Sequence, residues 1–118
     1  MESLAGRRVL VVEDEYFIAD DLARALTGAG AIILGPFASH EEALALIETD
    51  QPDLTILDIN LGGRATFVVA DELARRDLPF IFASGYDASL IPTRHAHRPL
   101  WQKPYEVTAI LEALAKRS

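Results

Sequence analysis

The sequence predicts an α/β fold: a parallel β-sheet covered by helices on both faces. Three observations carry that expectation. Short apolar runs rich in β-branched residues recur at 8–12, 31–34, 54–57, 79–83 and 99–101, and runs of this length without polar alternation read as strands buried on both sides. Between them lie segments whose apolar residues recur at helical spacing. The strand–helix alternation repeats five times within 118 residues, one domain's length and about half of what a closed eight-stranded barrel needs.

The first strand, 8–12, closes in Glu13-Asp14-Glu15. Residues 16–29 then place Ile18, Leu22, Ala25, Leu26 and Ala29 on one helical face, with Gly28 and Gly30 as stop signals. The second strand, 31–34, is expected to stop at Gly35-Pro36. Ser39 opens a second helix, and Glu42 three residues on completes a capping-box pattern. That helix buries Ala43, Leu44 and Ile47 and ends near Asp50, ahead of Pro52. After the third strand, 54–57, a third helix is expected over 64–76, with Phe67, Ala70, Leu73 and Ala74 on one face. The fourth strand, 79–83, runs into Ser84-Gly85. Residues 87–91 have room for about one helical turn before Pro92 disfavours helix at the residue it follows. A brief fifth strand at 99–101 leads to a last helix, 105–116, with Val107, Ile110, Leu111 and Leu114 at i, i+3, i+4 and i+7. No linker or repeat interrupts the chain, which reads as one domain over 1–118. Right-handed crossovers prune the topologies, and the expected architecture is a flavodoxin-like (βα)5 open sheet in the strand order 2-1-3-4-5.

Composition excludes several classes of function. There is no cysteine, so disulfides, thiol catalysis and zinc–thiolate sites fall away. A net charge of −7 argues against nucleic-acid binding through a basic face. The apolar run after Arg7-Arg8 is too short for a signal-peptide core or a membrane span, and a cytoplasmic protein without a membrane partner is expected. The small basic tract Arg94, His95, His97, Arg98 reads as a solvated loop, and Phe67, Phe80 and Phe82 read as core.

In an open parallel sheet, ligands bind beyond the carboxyl ends of the strands, where strand order reverses. The first strand ends in Glu13 and Asp14, the third in Asp58, the fourth in Ser84, and the fifth is followed by Lys103. All lie on one edge of the sheet. Three carboxylates gathered there repel one another unless a cation is present, and magnesium suits one or two carboxylates plus waters and phosphate oxygens. The Asn60 backbone carbonyl adds a ligand. Lys103 brings a compact positive charge and Ser84 a hydroxyl. A carboxylate nucleophile, a Mg2+ site, a lysine and a hydroxyl are the parts of aspartyl-phosphate chemistry. Each residue also has a plainer role: Asp58 as a solvated strand end, Glu15 as a helix N-terminal acid, Ser84 as an N-cap, and Asn60-Leu61-Gly62-Gly63 as a turn.

Val11-Val12-Glu13-Asp14, Leu57-Asp58, Ala83-Ser84-Gly85 and Lys103-Pro104, in this order and spacing, resemble the response-regulator receiver domain of two-component signalling. The resemblance implies that Asp58 is the phosphoacceptor, that Glu13, Asp14, Asp58 and Asn60 hold magnesium, and that Ser84 and Lys103 contact the phosphate. The run Pro-Phe-Ile-Phe-Ala-Ser-Gly-Tyr, ending at Tyr86, is similar to the stand-alone receiver subfamily marked by a Phe-Ala-Thr-Gly-Tyr type motif. Three features depart from the commonest receiver pattern. The switch aromatic, three residues before the lysine, falls on Leu100. The proline four residues after the phosphoacceptor is replaced by Gly62. The fourth helix is short.

The function expected is that of a single-domain response regulator in a phosphorelay, taking its phosphoryl group from a histidine kinase or phosphotransfer protein and switching its binding to an output protein. It is expected not to be an enzyme beyond slow self-hydrolysis of the acyl phosphate, tuned by Asn60 and Tyr86. A phosphate sink or relay without output, and a receiver cut from a larger regulator or hybrid kinase, are the alternatives. A flavin binder or an aspartyl-intermediate hydrolase is disfavoured by Glu13-Asp14-Glu15 after the first strand and by Asn60 two residues beyond Asp58.

Overall fold

The computed structural model describes residues 3–117. Its elements run β1 (Arg8–Val12), α1 (Tyr16–Gly28), β2 (Ile32–Phe37), α2 (His40–Thr49), β3 (Leu54–Leu57), β4 (Asn60–Leu61), β5 (Arg64–Ala65), α3 (Val68–Arg75), β6 (Phe80–Ser84), β7 (Leu100–Gln102) and α4 (Val107–Arg117). One parallel sheet has the order β2-β1-β3-β6-β7, which is the expected 2-1-3-4-5 arrangement. β4 and β5 form a small antiparallel hairpin of their own.

Period-2 alternation splits the sheet's side chains between two core layers. Val9, Val11, Leu54, Ile56, Ile81 and Ala83 pack with Leu22 and Leu26 of α1 and Ile110 and Leu114 of α4. Leu10, Val12, Leu57, Phe80 and Phe82 point the other way, onto Ala43 and Ile47 of α2 and Val69, Ala70 and Leu73 of α3. β1, β3 and β6 are thus buried on both faces, and their carboxyl ends meet at one rim. Ser39 caps α2 as expected: its Oγ accepts from the Glu42 N–H at 3.1 Å.

Two expectations about element bounds are corrected. β2 does not stop at Gly35-Pro36 but continues to Phe37, passing the pair through an irregularity in its register with β1 between Leu10 and Val12. Gly35 makes this possible. It sits at φ +95, where a Cβ would lie 2.7 Å from the Phe37 nitrogen. The third helix starts at Val68, not residue 64, because 60–65 is taken by the β4–β5 hairpin. Gly62 and Gly63 both have positive φ, as a tight two-residue hairpin turn requires. The fourth β–α repeat carries no α-helix, in keeping with the single turn expected over 87–91. Between β6 and β7 the described residues form only two 3₁₀ turns, Ala88–Leu90 and Thr93–His95, so four α-helices accompany the five-stranded sheet.

In the basic tract of this segment Arg94 and His97 are exposed, as a solvated loop would have them, whereas His95 departs from that expectation. His95 is 2% exposed, with its ring 5.9–6.2 Å from the rings of Phe67, Phe80 and Phe82. Its Nε2 lies 2.7 Å from Asp71 Oδ1. An ionised carboxylate only accepts, so Nε2 carries the proton and donates. Arg94 also donates to Asp71, at 2.8 and 3.1 Å, and holds that carboxyl below its ordinary range, with His95 assisting. The Arg98 guanidinium lies 4.3 Å from the centroid of the Phe80 ring. This segment is therefore fastened to α3 and β6 by a few specific contacts. Asp71→Ala leaves the buried His95 N–H without an acceptor, a change that costs about 1–3 kcal/mol. Chemical denaturation is expected to show that loss. Hydrogen exchange is expected to rise in 86–99 while β1 and β3 keep their protection.

Candidate functional site

Backbone pairing brings the site's residues together. The Asp58 N–H donates to Val12 O at 2.9 Å, extending the β1–β3 ladder by one residue, and the Glu13 N–H donates to Phe37 O at 2.8 Å. Both residues are buried, at 3% exposure. The β6–β7 pairing ends with the Lys103 N–H donating to Ser84 O at 2.8 Å. That contact aims Lys103 across the rim. Its Nζ lies 2.9 Å from Asp58 Oδ2, 2.9 Å from Glu13 Oε1, and in close contact with Glu15 Oε2.

Asp14 turns outward from the same strand end and is exposed. Its Oδ2 accepts the Gly62 N–H at 2.8 Å, while Asp58 Oδ1 accepts the Asn60 N–H at 3.1 Å. The hairpin after β3 is thus tied to two of the acids. Glu13, Asp14 and Asp58 each present a carboxylate oxygen, and these lie within 4.8 Å of one another. The side-chain oxygen of Asn60 is buried without a hydrogen-bond partner. An oxygen-only donor set with an orphaned oxygen beside it fits a hard divalent cation such as magnesium. These groups open onto a cleft of about 390 Å³ that Ser84, Gly85 and Tyr86 close from the far side.

Burial pushes the Glu13 carboxyl up to about 7. Asp58's charge adds to the rise, while Lys103 and the Glu15 N–H pull it back. For Lys103, burial favours the neutral amine, but its bonds to Glu15, Asp58 and Glu13 prevail and hold it above its ordinary value. The Tyr105 hydroxyl is buried without a partner; burial, then the charge of Glu13, pushes it up to about 12.

The rim gathers Glu13, Asp14, Asp58, Asn60, Ser84, Tyr86 and Lys103, every site residue the sequence singled out. Ser84 is not a helix N-cap. Its Oγ accepts the Tyr86 N–H at 3.1 Å, and the turn that follows is capped by Asp87. Leu100 and Trp101 face opposite layers, Leu100 toward α2 and α3 and Trp101 toward α1 and α4. Glu15 stands at the N-terminus of α1, as its plain reading has it, and also reaches Lys103. Its signal was present in the sequence: residues two apart in extended chain point to the same side, and Glu15 stands two after Glu13.

Residues 9–99 match the family described as the response regulator receiver domain. This chain belongs to that family. It is similar to the transcriptional regulatory protein PdtaR of Mycobacterium tuberculosis, at 37% identity over 86 residues, covering 72% of this chain and 42% of that protein. It is also similar to the positive alginate biosynthesis regulatory protein of Pseudomonas aeruginosa, at 36% identity over 116 residues, covering 93% of this chain and 46% of that protein. The chain thus spans less than half the length of these curated relatives. Among solved structures, it is similar to SdrG from Sphingomonas melonis Fr1, with 37% identity, a TM-score of 0.78 and 96% of both chains covered. The BeF3-activated conformation of SdrG, from Pseudomonas melonis Fr1, is similar at 38% identity with a TM-score of 0.75, covering 98% of this chain and 97% of that one. Receiver domains are phosphoacceptor signalling modules with an acidic magnesium pocket, and Glu13, Asp14 and Asp58 form such an acidic group here. No helix among the described residues is long and apolar enough to cross a membrane.

The raised Glu13 carboxyl has a signed consequence for metal-free protein. Between pH 4.5 and about 7 the folded state keeps a proton that the unfolded chain releases, so stability falls as pH rises through that window. The loss over the whole window is on the order of 3 kcal/mol. Denaturant melts in chelator across this range are expected to show it, and Glu13→Gln is expected to flatten it.

Proposed function

We propose that Asp58 accepts a phosphoryl group from the phosphohistidine of a histidine kinase or phosphotransfer protein, and that the phosphorylated form binds an output protein differently from the free form. One observation carries the reading: a buried Asp58 carboxylate lies within 2.9 Å of the Lys103 ammonium, with Glu13 and Asp14 oxygens beside it. A carboxylate oxygen of Asp58 attacks phosphorus. The new P–O bond forms as the P–N bond breaks, and the electron pair returns to the imidazole nitrogen. Glu13, Asp14, Asp58 and Asn60 would hold magnesium, which when bound supplies positive charge to the phosphoryl oxygens.

The chain's own residues do the rest. Lys103 donates to the developing charge from a desolvated position, where such a contact is stronger than in water. The Ser84 hydroxyl, whose oxygen is already fixed by the Tyr86 N–H, is free to turn its proton toward the phosphate. Asn60 and Tyr86 line the cleft, where they govern water access and hence hydrolysis of the acyl phosphate. With Leu100 in the position of the switch aromatic, the signal leaves through Ser84 into the segment that His95 fastens to α3.

Incubation with magnesium and acetyl phosphate, followed by intact mass, tests the reading. One phosphoryl adduct is expected, dependent on magnesium and absent in Asp58→Ala. A folded protein that forms no adduct and also refuses transfer from phosphorylated histidine kinases would overturn it.

A further inference from the structure

We propose that Glu15 is a clamp on Lys103 that opposes the phosphoryl group, and so sets how readily Asp58 is phosphorylated and how long the phosphate persists. The proposal rests on the phosphoacceptor reading of Asp58.

A lysine ammonium has three N–H donors. Here each has a carboxylate, on Asp58, Glu13 and Glu15. The ammonium has little recourse to water, because the Lys103 side chain is only 13% exposed. Lys103 is also the only cationic side chain among the described residues lining the cleft. Phosphorylation converts the Asp58 carboxylate into an acyl phosphate, so one phosphoryl oxygen inherits the N–H that Asp58 held. A second phosphoryl contact to the same ammonium requires Glu13 or Glu15 to give way.

The three carboxylates are not equal. Those of Glu13 and Asp58 are buried, at 2% and 4% side-chain exposure, whereas Glu15 is 58% exposed. Releasing Glu13 leaves a buried carboxyl without its partner, which is costly whether it stays charged or becomes an unsatisfied polar group. Releasing Glu15 returns its carboxylate to solvent. Glu15 is therefore the partner that the phosphoryl oxygens displace. The strength of the Glu15–Lys103 contact enters directly into the balance between free and phosphorylated protein.

A second observation supports a specialised role. Glu15 occupies the N-cap position of α1 with extended backbone, yet its side chain caps nothing, and the first turn of α1 has no acidic residue. The helix forgoes the local stabilisation that a short capping side chain would provide. Such a local conflict is characteristic of a functional position. Glu15 acts through Lys103, so it is a positioning residue; it has no direct part in phosphoryl transfer.

The test is beryllofluoride binding to the full chain at saturating magnesium, with the lifetime of the acetyl-phosphate adduct as a second readout. Wild type is compared with Glu15→Gln and with Asp21→Asn. Asp21 lines the small cavity beside Lys103 and Tyr105 without pairing with the lysine, so its neutralisation controls for the loss of one nearby charge. Glu15→Gln is expected to bind beryllofluoride roughly two- to fivefold more tightly, the range of a partly exposed ion pair, and to lengthen the adduct lifetime by a similar factor. Asp21→Asn is expected to match wild type. A gain of affinity is not what general structural damage produces. Equal affinity in wild type and Glu15→Gln, or an equal gain in Asp21→Asn, would overturn the clamp while leaving Asp58 as phosphoacceptor. Failure of wild type to take up either beryllofluoride or a phosphoryl group would overturn the reading of Asp58 and the clamp together.

Discussion

One ammonium group holds the carboxyl edge of the sheet together. Glu13 and Asp58 are buried side by side, and without a cation between them both could not remain charged. Lys103 supplies that cation, and it can do so only because β7 pairs with β6 in a register that ends on Ser84 and delivers residue 103 to the rim. An arrangement of this kind does not maximise stability. Apolar residues of the same volume often do as well as a buried ion pair. On the proposed reading its value is that charge can be exchanged: a divalent cation takes over the carboxylates, and a phosphoryl group takes over the lysine.

The segments on either side of this cluster suit such an exchange. The β4–β5 hairpin is tied to Asp14 and Asp58 through single backbone N–H groups. The segment between β6 and β7 has no α-helix and is held by Asp71, by the aromatic cage around His95 and by Arg98 on Phe80. Short irregular pieces fixed by a few polar contacts open more easily than the core strands they join. The cluster thus sits between a floor formed by β1, β3 and β6 and two walls held by polar contacts. Leu100 packs within the α2–α3 layer and Trp101 lies on the opposite face. The wall that carries His95 is therefore the better placed to report a change at Ser84.

Much of this was legible in the sequence, for physical reasons. Buried parallel strands must be apolar on both faces, so β1, β3 and β6 stood out. A doubly wound sheet must gather its strand ends at one edge, so the places of Glu13, Asp14, Asp58, Ser84 and Lys103 in the sequence already bring them together. The misreadings came where local pattern was overridden. The Gly35-Pro36 pair reads as a stop, but a glycine at positive φ lets the strand pass. Gly62-Gly63 reads as a loop before a helix, yet Asn60 and Ala65 pair across it. Within the charged tract 94–98, His95 reads as solvated like its neighbours because charge dominates the pattern. The aromatic pocket that buries His95 is assembled from Phe67, Phe80 and Phe82, residues distant in sequence, and no local window contains it.

The most direct test of the charge-exchange account is thermal unfolding of Lys103→Met at neutral pH, in chelator and then with magnesium. With the ammonium gone, the clustered carboxylates face one another uncompensated. The metal-free variant is expected to lose about 3 kcal/mol, and magnesium is expected to restore most of it and to bind more tightly than to wild type. A variant that melts like wild type in chelator and responds no more strongly to magnesium would show that Lys103 does not hold the rim together, and the account would fail at its foundation.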